Sequence, residues 1–257
     1  MGAVANGFSY FGGFVPYCAT FLVFSDYMRA PIRLAALSHL PTVFVFTHDS
    51  FWVGEDGPTH EPIEHVEALR LIPQLDVWRP ADGVETAMVW AWALLRPAGE
   101  RPSALLFSRH KLPVIARPST FAIRDVWRGA YTVAEADGGP PEVVLVATGS
   151  ELGLAVEARL ELAKSGVRAR VVSMPCRERF DAQDAAYRAS VVPEDDSATI
   201  VVIEAGRSTG WWKLVGRRGL ILGVDRYGAS APGEVIAKEF GFSKEAVTQR
   251  VLAHLGR

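Results

Sequence analysis

The chain has 257 residues, of which 49% are apolar and 22% charged, and its net charge is -2. That length buries one large or two ordinary α/β cores, and the near-neutral balance excludes an electrostatic grip on nucleic acid or an anionic membrane. Two distant cysteines, Cys18 and Cys176, exclude a disulfide scaffold and a complete structural zinc site, and leave a reducing cytoplasm as the expected location, with each thiol a small buried apolar group.

The first 25 residues carry no charged side chain. They lack the basic start of a signal peptide. Asn6, Ser9, Tyr10, Gly12, Gly13 and Pro16 interrupt the run of about 20 apolar residues that a spanning helix needs, so a buried N-terminal segment is expected instead. Phe21, Phe24, Met28, Ile32, Leu34 and Leu37 then recur at helical spacing, and Pro31 is expected to kink or restart that helix.

Strands are predicted at Thr42–Thr47, Leu75–Trp78, Ala104–Ser108, Glu142–Ala147, Ala169–Ser173, Thr199–Glu204 and Leu220–Val224, each short, rich in branched residues and bounded by turn formers. Between them lie helical patterns at Val84–Leu95, Glu151–Ser165, Ala182–Ser190, Gly233–Phe240 and Lys244–Leu255, with Gly166 as a stop and Ser243 as an N-cap. Alternation of this kind predicts an α/β fold of two domains, each a mostly parallel sheet flanked by helices. Residues 111–139 change character, with Pro113, Pro118 and the turn Glu135–Pro141, and read as a linker plus a leading strand. The predicted division is 1–118, a linker at 119–137, and 138–257.

One segment concentrates reactive side chains: THDSFWVGEDGPTHEP at 47–62. It follows a buried strand, where open α/β sheets place ligands. A metal reading of its histidines and carboxylates lacks HExxH spacing or a cysteine pair, and Ser50 lacks a GxSxG setting. Recognition of a polyol phosphate fits better, because His48, Asp56 and His60 can bond hydroxyls and Arg109, ending a later strand, suits a phosphate. Each residue also has an ordinary reading: His48 capping the strand, Arg109 in a structural ion pair, Asp56 in a turn with Gly57, and Phe21, Phe24 and Tyr27 as core aromatics.

The stretch THDS…GEDGPTHEPIEH…LR…P at 47–73 closely resembles the pyrimidine-binding domain of transketolases. The likeness begins at MGAVANG, runs through GGFVPYCATFLVFSDYMR, RPADGVETAMVW and LLFSR, and resumes as VLVATGSELGLAVEA, ARVVSMPC, FDAQDAAYRASVVP and GASAPGEVIAKEFGF. It implies a thiamine-diphosphate-dependent transfer of a two-carbon ketol unit between sugar phosphates. It implies that Phe24, with Phe21 and Tyr27, walls the aminopyrimidine ring, that His48 and Arg109 meet the sugar phosphate, that Asp56 reads the C2 hydroxyl, and that His60 is the catalytic residue near the reacting carbon. Phe51-Trp52 depart from the pattern, where smaller residues are usual, and His110 stands where glutamine is usual.

In the family, MGAVANG is preceded by Arg-Glu-x-x-Met, whose glutamate would fall three residues before Met1. Neither that glutamate nor the diphosphate-binding domain, with its Mg2+ or Ca2+ ligands, is recognisable in this sequence. A truncated chain or gene model is therefore expected over a functional split, and the chain is expected to be inactive alone. The resemblance further implies a homodimer, or pairing with a separate N-terminal subunit. A related thiamine enzyme such as deoxyxylulose-phosphate synthase fits GEDGPTHEP less well. The other alternative is a non-catalytic remnant that binds partners through uncovered surface.

Overall fold

The computed structural model describes residues 1–97 and 99–257. Two sheets organise the chain. The first contains β1 (Tyr17–Phe21), β2 (Val43–Thr47), β3 (Asp76–Trp78) and β4 (Ser103–Phe107), all parallel, in the order β1-β2-β4-β3. Around it lie α1 (Gly2–Phe11), α2 (Arg29–Leu37), α3 (His65–Arg70) and α4 (Gly83–Leu95). In the second sheet, β6 (Val143–Ala147), β7 (Ala169–Ser173), β8 (Thr199–Ile203) and β9 (Leu220–Leu222) run parallel, and β5 (Tyr131–Ala134) closes one edge antiparallel, in the order β5-β7-β6-β8-β9. Its flanking helices include α5 (Ile123–Trp127), α6 (Glu151–Lys164), α7 (Arg177–Asp181), α8 (Ala185–Val191), α9 (Trp212–Val215), α10 (Gly233–Glu239) and α11 (Lys244–His254).

Strand alternation sorts the core. In β2, Phe44 and Phe46 point to the α1–α3 side, whereas Val43 and Val45 face a core shared with the second sheet. That shared core continues through Phe51, Trp78, Val89, Leu145 and Leu152, so the two sheets are joined by apolar packing as well as by the chain.

The stretch read as a linker plus a leading strand holds the short helix α5 and the strand β5, which pairs antiparallel with β7. Two expectations need correction. The helical spacing from Phe21 spans a strand end, a 3₁₀ segment (Leu22–Met28) and then α2, in which Pro31 falls in the first turn, where its missing N–H breaks no bond. The N-terminal segment is a helix, α1, but it is not buried as a whole. Its small polar residues face inward: Asn6 Nδ2 donates to the Pro31 carbonyl at 2.8 Å, and Ser9 and Thr42 hydroxyls meet at 2.7 Å. Val4, Phe8 and Phe11 face outward, Phe11 82% exposed.

Candidate active site

Parallel strands send their C-terminal ends to one edge, where loops collect ligand-facing side chains. Phe21 ends β1, in register with Thr47 at the end of β2. His48 follows with φ of 62°, a left-handed conformation unusual for a residue with a side chain. The turn stacks its imidazole on the Phe21 ring, centroids 3.6 Å apart and planes 17° apart. Phe24 extends the row, 6.2 Å from Phe21, and the His60 ring meets Phe24 edge-on at 5.7 Å. Phe24 is 36% exposed and so offers an open aromatic face. Tyr27 lies 6.3 Å from Phe24 but is 86% exposed, and so stands at the rim.

Charge links the remaining residues. Burial lowers the His48 pKa, and the Arg109 guanidinium lowers it further, against weaker opposite pulls from Asp56 and Asp49. Arg109 follows β4 by two residues and is exposed, as is Asp56. His48 Nδ1 lies 2.9 Å from Thr47 Oγ1, and His60 Nδ1 lies 2.9 Å from Thr59 Oγ1. In each ring Nε2 is the nitrogen left to meet a ligand. Two imidazoles, a carboxylate, a guanidinium and an open aromatic face thus share one strand edge. The set can bond hydroxyls, pair with an anion and stack a flat ring.

The second half of the chain braces this loop, through contacts that no sequence pattern signals. Arg79, after β3, is fully buried. Its Nε donates to Asp49 Oδ2 at 2.8 Å, and its Nη1 to Thr148 Oγ1 at 2.8 Å and to Glu151. The turn at 147–151 is thus filled by an internal cation and its partners. Thr148 Oγ1 also donates to Glu204, which accepts two bonds of 2.7 Å from Arg70 and one of 2.9 Å from Trp211 Nε1. Phe51 packs between Phe240 and Phe242, and Trp52 lies on His110 at 4.6 Å and against Gly233. The bulk of Phe51-Trp52 is therefore taken up at the seam between the sheets.

A cavity of about 580 Å³ lies elsewhere, lined by Phe180, Ile200 and Leu214 among others, and its four cations, Arg177, Arg188, Lys213 and Arg218, are paired with Glu67, Glu194, Asp181 and Asp196. Among the described residues no group of three or more His, Cys, Asp or Glu is placed to hold a metal ion, and no helix is long and apolar enough to cross a membrane.

Comparison with known proteins gives two family matches: residues 1–114 to the transketolase pyrimidine-binding domain, and residues 129–243 to the transketolase-like C-terminal domain. Transketolases of Geobacillus stearothermophilus and Bacillus subtilis are each 49% identical over 257 residues, which is all of this chain and 38% of theirs. The crystal structure of Pichia stipitis transketolase in complex with sedoheptulose 7-phosphate aligns over 100% of this chain and 36% of its own, with a TM-score of 0.92 and 38% identity. A chain described as a split-gene transketolase, an inactive β4 tetramer, shares the fold at TM-score 0.77 and 21% identity, over 98% of this chain and 80% of its own.

Proposed function

The chain belongs to the transketolase family and carries its pyrimidine-binding and C-terminal domains, and from that premise we propose that its strand-edge site recognises the sugar phosphates of a two-carbon ketol transfer. The observation that carries this reading is the row His48–Phe21–Phe24–His60, with the Arg109 charge acting on its first member.

Arg109 and His48 would receive the sugar phosphate, the guanidinium as a two-pronged donor and the imidazole through Nε2. Asp56 would accept from the C2 hydroxyl. His60, edge-on to Phe24, would hold a proton at the oxygen of the reacting carbonyl or its neighbouring hydroxyl. Phe24, backed by Phe21 and edged by Tyr27, has the open face that an aminopyrimidine ring requires, so the residues present fit the ring half of thiamine diphosphate. When bound, the cofactor supplies the nucleophilic carbon and the electron sink for breaking a bond beside a carbonyl.

The chain spans 38% of the length of the transketolases it matches. The diphosphate and its Mg2+ or Ca2+ are assigned to the rest of that length, joined to this chain or on a partner. Turnover by the described chain alone is accordingly not expected. The outward apolar face of α1 supports contact with a second copy or with such a partner.

The test is ketol transfer from xylulose 5-phosphate to ribose 5-phosphate with thiamine diphosphate and Mg2+. The chain alone should show none. Mixing it with the N-terminal remainder of the Geobacillus enzyme should restore turnover. In the restored enzyme, Arg109→Ala should weaken KM for the phosphorylated acceptor about 10- to 100-fold, the loss of one charged hydrogen-bonding pair. An unphosphorylated aldose acceptor should be hardly affected. Equal losses for both acceptors would sink the phosphate assignment.

A further inference from the structure

Glu61 ends the loop that carries Asp56 and His60, and its surroundings do not suit a carboxylate. The residue is 2% exposed, its carboxyl oxygens make no close hydrogen bond, and the amides of Ala229 and Gly54 are the polar groups that act on them. Its seat lies on the other domain. A side chain at Gly228 would occupy the space of the Glu61 carboxyl, so the glycine leaves the socket open. Two more contacts join the same segments: Gly57 lies against Ser230, and Gly54 against Gly233. Within the loop, the amides of His60 and Glu61 both donate to the Gly57 carbonyl, at 2.9 and 3.1 Å. The placement of Glu61 therefore fixes the turn from which His60 and Asp56 project.

We propose that Glu61 is a positioning residue that fastens the sugar-facing loop onto the C-terminal domain through the Gly228 seat. Through it the C-terminal domain, to which no sugar contact is assigned, sets where Asp56 and His60 stand. The consequence for substrate rests on the ketol-transfer reading; the fastening itself does not.

The chemistry of the seat makes the fastening depend on pH. Burial raises the Glu61 pKa to about 7, against weaker opposite pulls from the amides of Ala229 and Gly54. Nearby charges are engaged elsewhere or face solvent. On its own loop, Glu55 and Asp56 are exposed and His60 meets Thr59. On the facing segment, Arg226 covers the Phe240 ring, Asp225 bonds Ser208, and Tyr227 and Glu234 are exposed. Beyond Ile63, whose carbonyl accepts from the Arg207 amide, Arg207 faces Asp225, and Glu204 is bound by Arg70, Thr148 and Trp211. A neutral carboxyl fits this seat; a charged one, with no cation beside it, must leave it or draw in water.

Amide hydrogen exchange of the whole chain reads this directly. Residues 54–62 would be followed from about pH 5.5 to about pH 8.5, corrected for intrinsic exchange, with β6 as the internal reference. The wild-type loop should lose at least about tenfold protection with a midpoint near 7 while β6 holds. Glu61→Gln, which keeps the shape but has no proton to lose, should flatten that dependence. Gly228→Ala should lower loop protection at every pH with the far-UV spectrum unchanged. A wild-type loop that does not change across this range overturns the proposal without recourse to any variant, as does Glu61→Gln titrating like wild type. Titration with xylulose 5-phosphate, in the chain completed by the N-terminal remainder and thiamine diphosphate, separates the two claims. A loop that titrates but ignores the sugar keeps the fastening and sinks the sugar reading; a flat loop that binds sugar does the reverse.

Discussion

His48 combines two features that oppose each other energetically. Its left-handed backbone is a cost, and the stack on Phe21 together with the buried Asp49–Arg79 pair one residue on supports it. Burial, and after it the Arg109 guanidinium, favour the neutral form of its ring. The sign is therefore fixed: removing a nearby cation makes imidazolium less unfavourable and raises the midpoint. A nuclear magnetic resonance titration should find His48 below the ordinary value of 6.5, and Arg109→Ala should move it upward without restoring that value, because burial is the larger cause. A midpoint unchanged by the substitution would separate Arg109 from the site. The placement of His48 and Arg109 just past β2 and β4 was legible in the sequence, because both strands are marked by apolar runs. The seat of Glu61 was not, since Gly228 meets it only through tertiary packing and nothing local marks it.

At the level of elements, helix starts test how much of the fold is local chemistry. Ser243 caps α11 by accepting from the Ala246 amide at 3.2 Å. Asp82 caps α4 through the Val84 and Glu85 amides, both at 3.0 Å, and also binds Arg117, whose side chain is largely buried. Ser243→Ala should cost about 1 kcal/mol, the usual value of a cap. Asp82→Ala should cost about 3 kcal/mol, because it also strips a buried cation of its main partner. Urea denaturation of the two variants gives the comparison, and equal costs would show that Arg117 is indifferent to the pair. The Ser243 cap was readable from the sequence, as were β2, β4, β6, β7 and β8, whose apolar runs are bounded by turn formers. β1 was not: Phe21, Phe24 and Met28 mimic a helical period although they span a strand end and a 3₁₀ segment. α1 escaped because its pattern is inverted, with Asn6 and Ser9 inside, bonded to Pro31 and Thr42, and aromatic rings outside.

Across the whole molecule, the two domains meet on a buried ionic chain as well as on apolar packing. Arg70, Arg79, Asp49, Glu151 and Glu204 are all buried, and Thr148 bridges them. Arg79→Ala should cost about 3–5 kcal/mol, since it leaves Asp49 and Glu151 charged without their common partner. Burial would raise the Glu204 pKa, but Arg70 and Arg79 outweigh it and bring the value down to about 2. A carboxyl depressed in the folded state contributes stability above its unfolded pKa and loses it as pH falls towards the folded one. Stability should therefore decline between about pH 5 and about pH 2, and Glu204→Gln should shrink that decline.

The same scale explains α1. A helix with Asn6 and Ser9 turned inward gains little from its own domain, and it leaves Val4, Phe8 and Phe11 in water beside exposed Tyr10 and Phe14. Phe8 and Phe11 both lie near Phe14, with ring centroids 6.1 and 6.5 Å apart, so the exposed rings form one patch and not scattered residues. Contiguous exposed apolar surface commonly marks a contact site, so association through this face is the expected outcome. Light scattering coupled to size exclusion should find the chain associated at micromolar concentration. Phe8→Ser with Phe11→Ser should shift it towards monomer while changing stability by less than about 0.5 kcal/mol, because neither ring is part of the core. If wild type and variant elute alike as monomers, the face is merely tolerated by solvent, and the inverted helix has lost its reason.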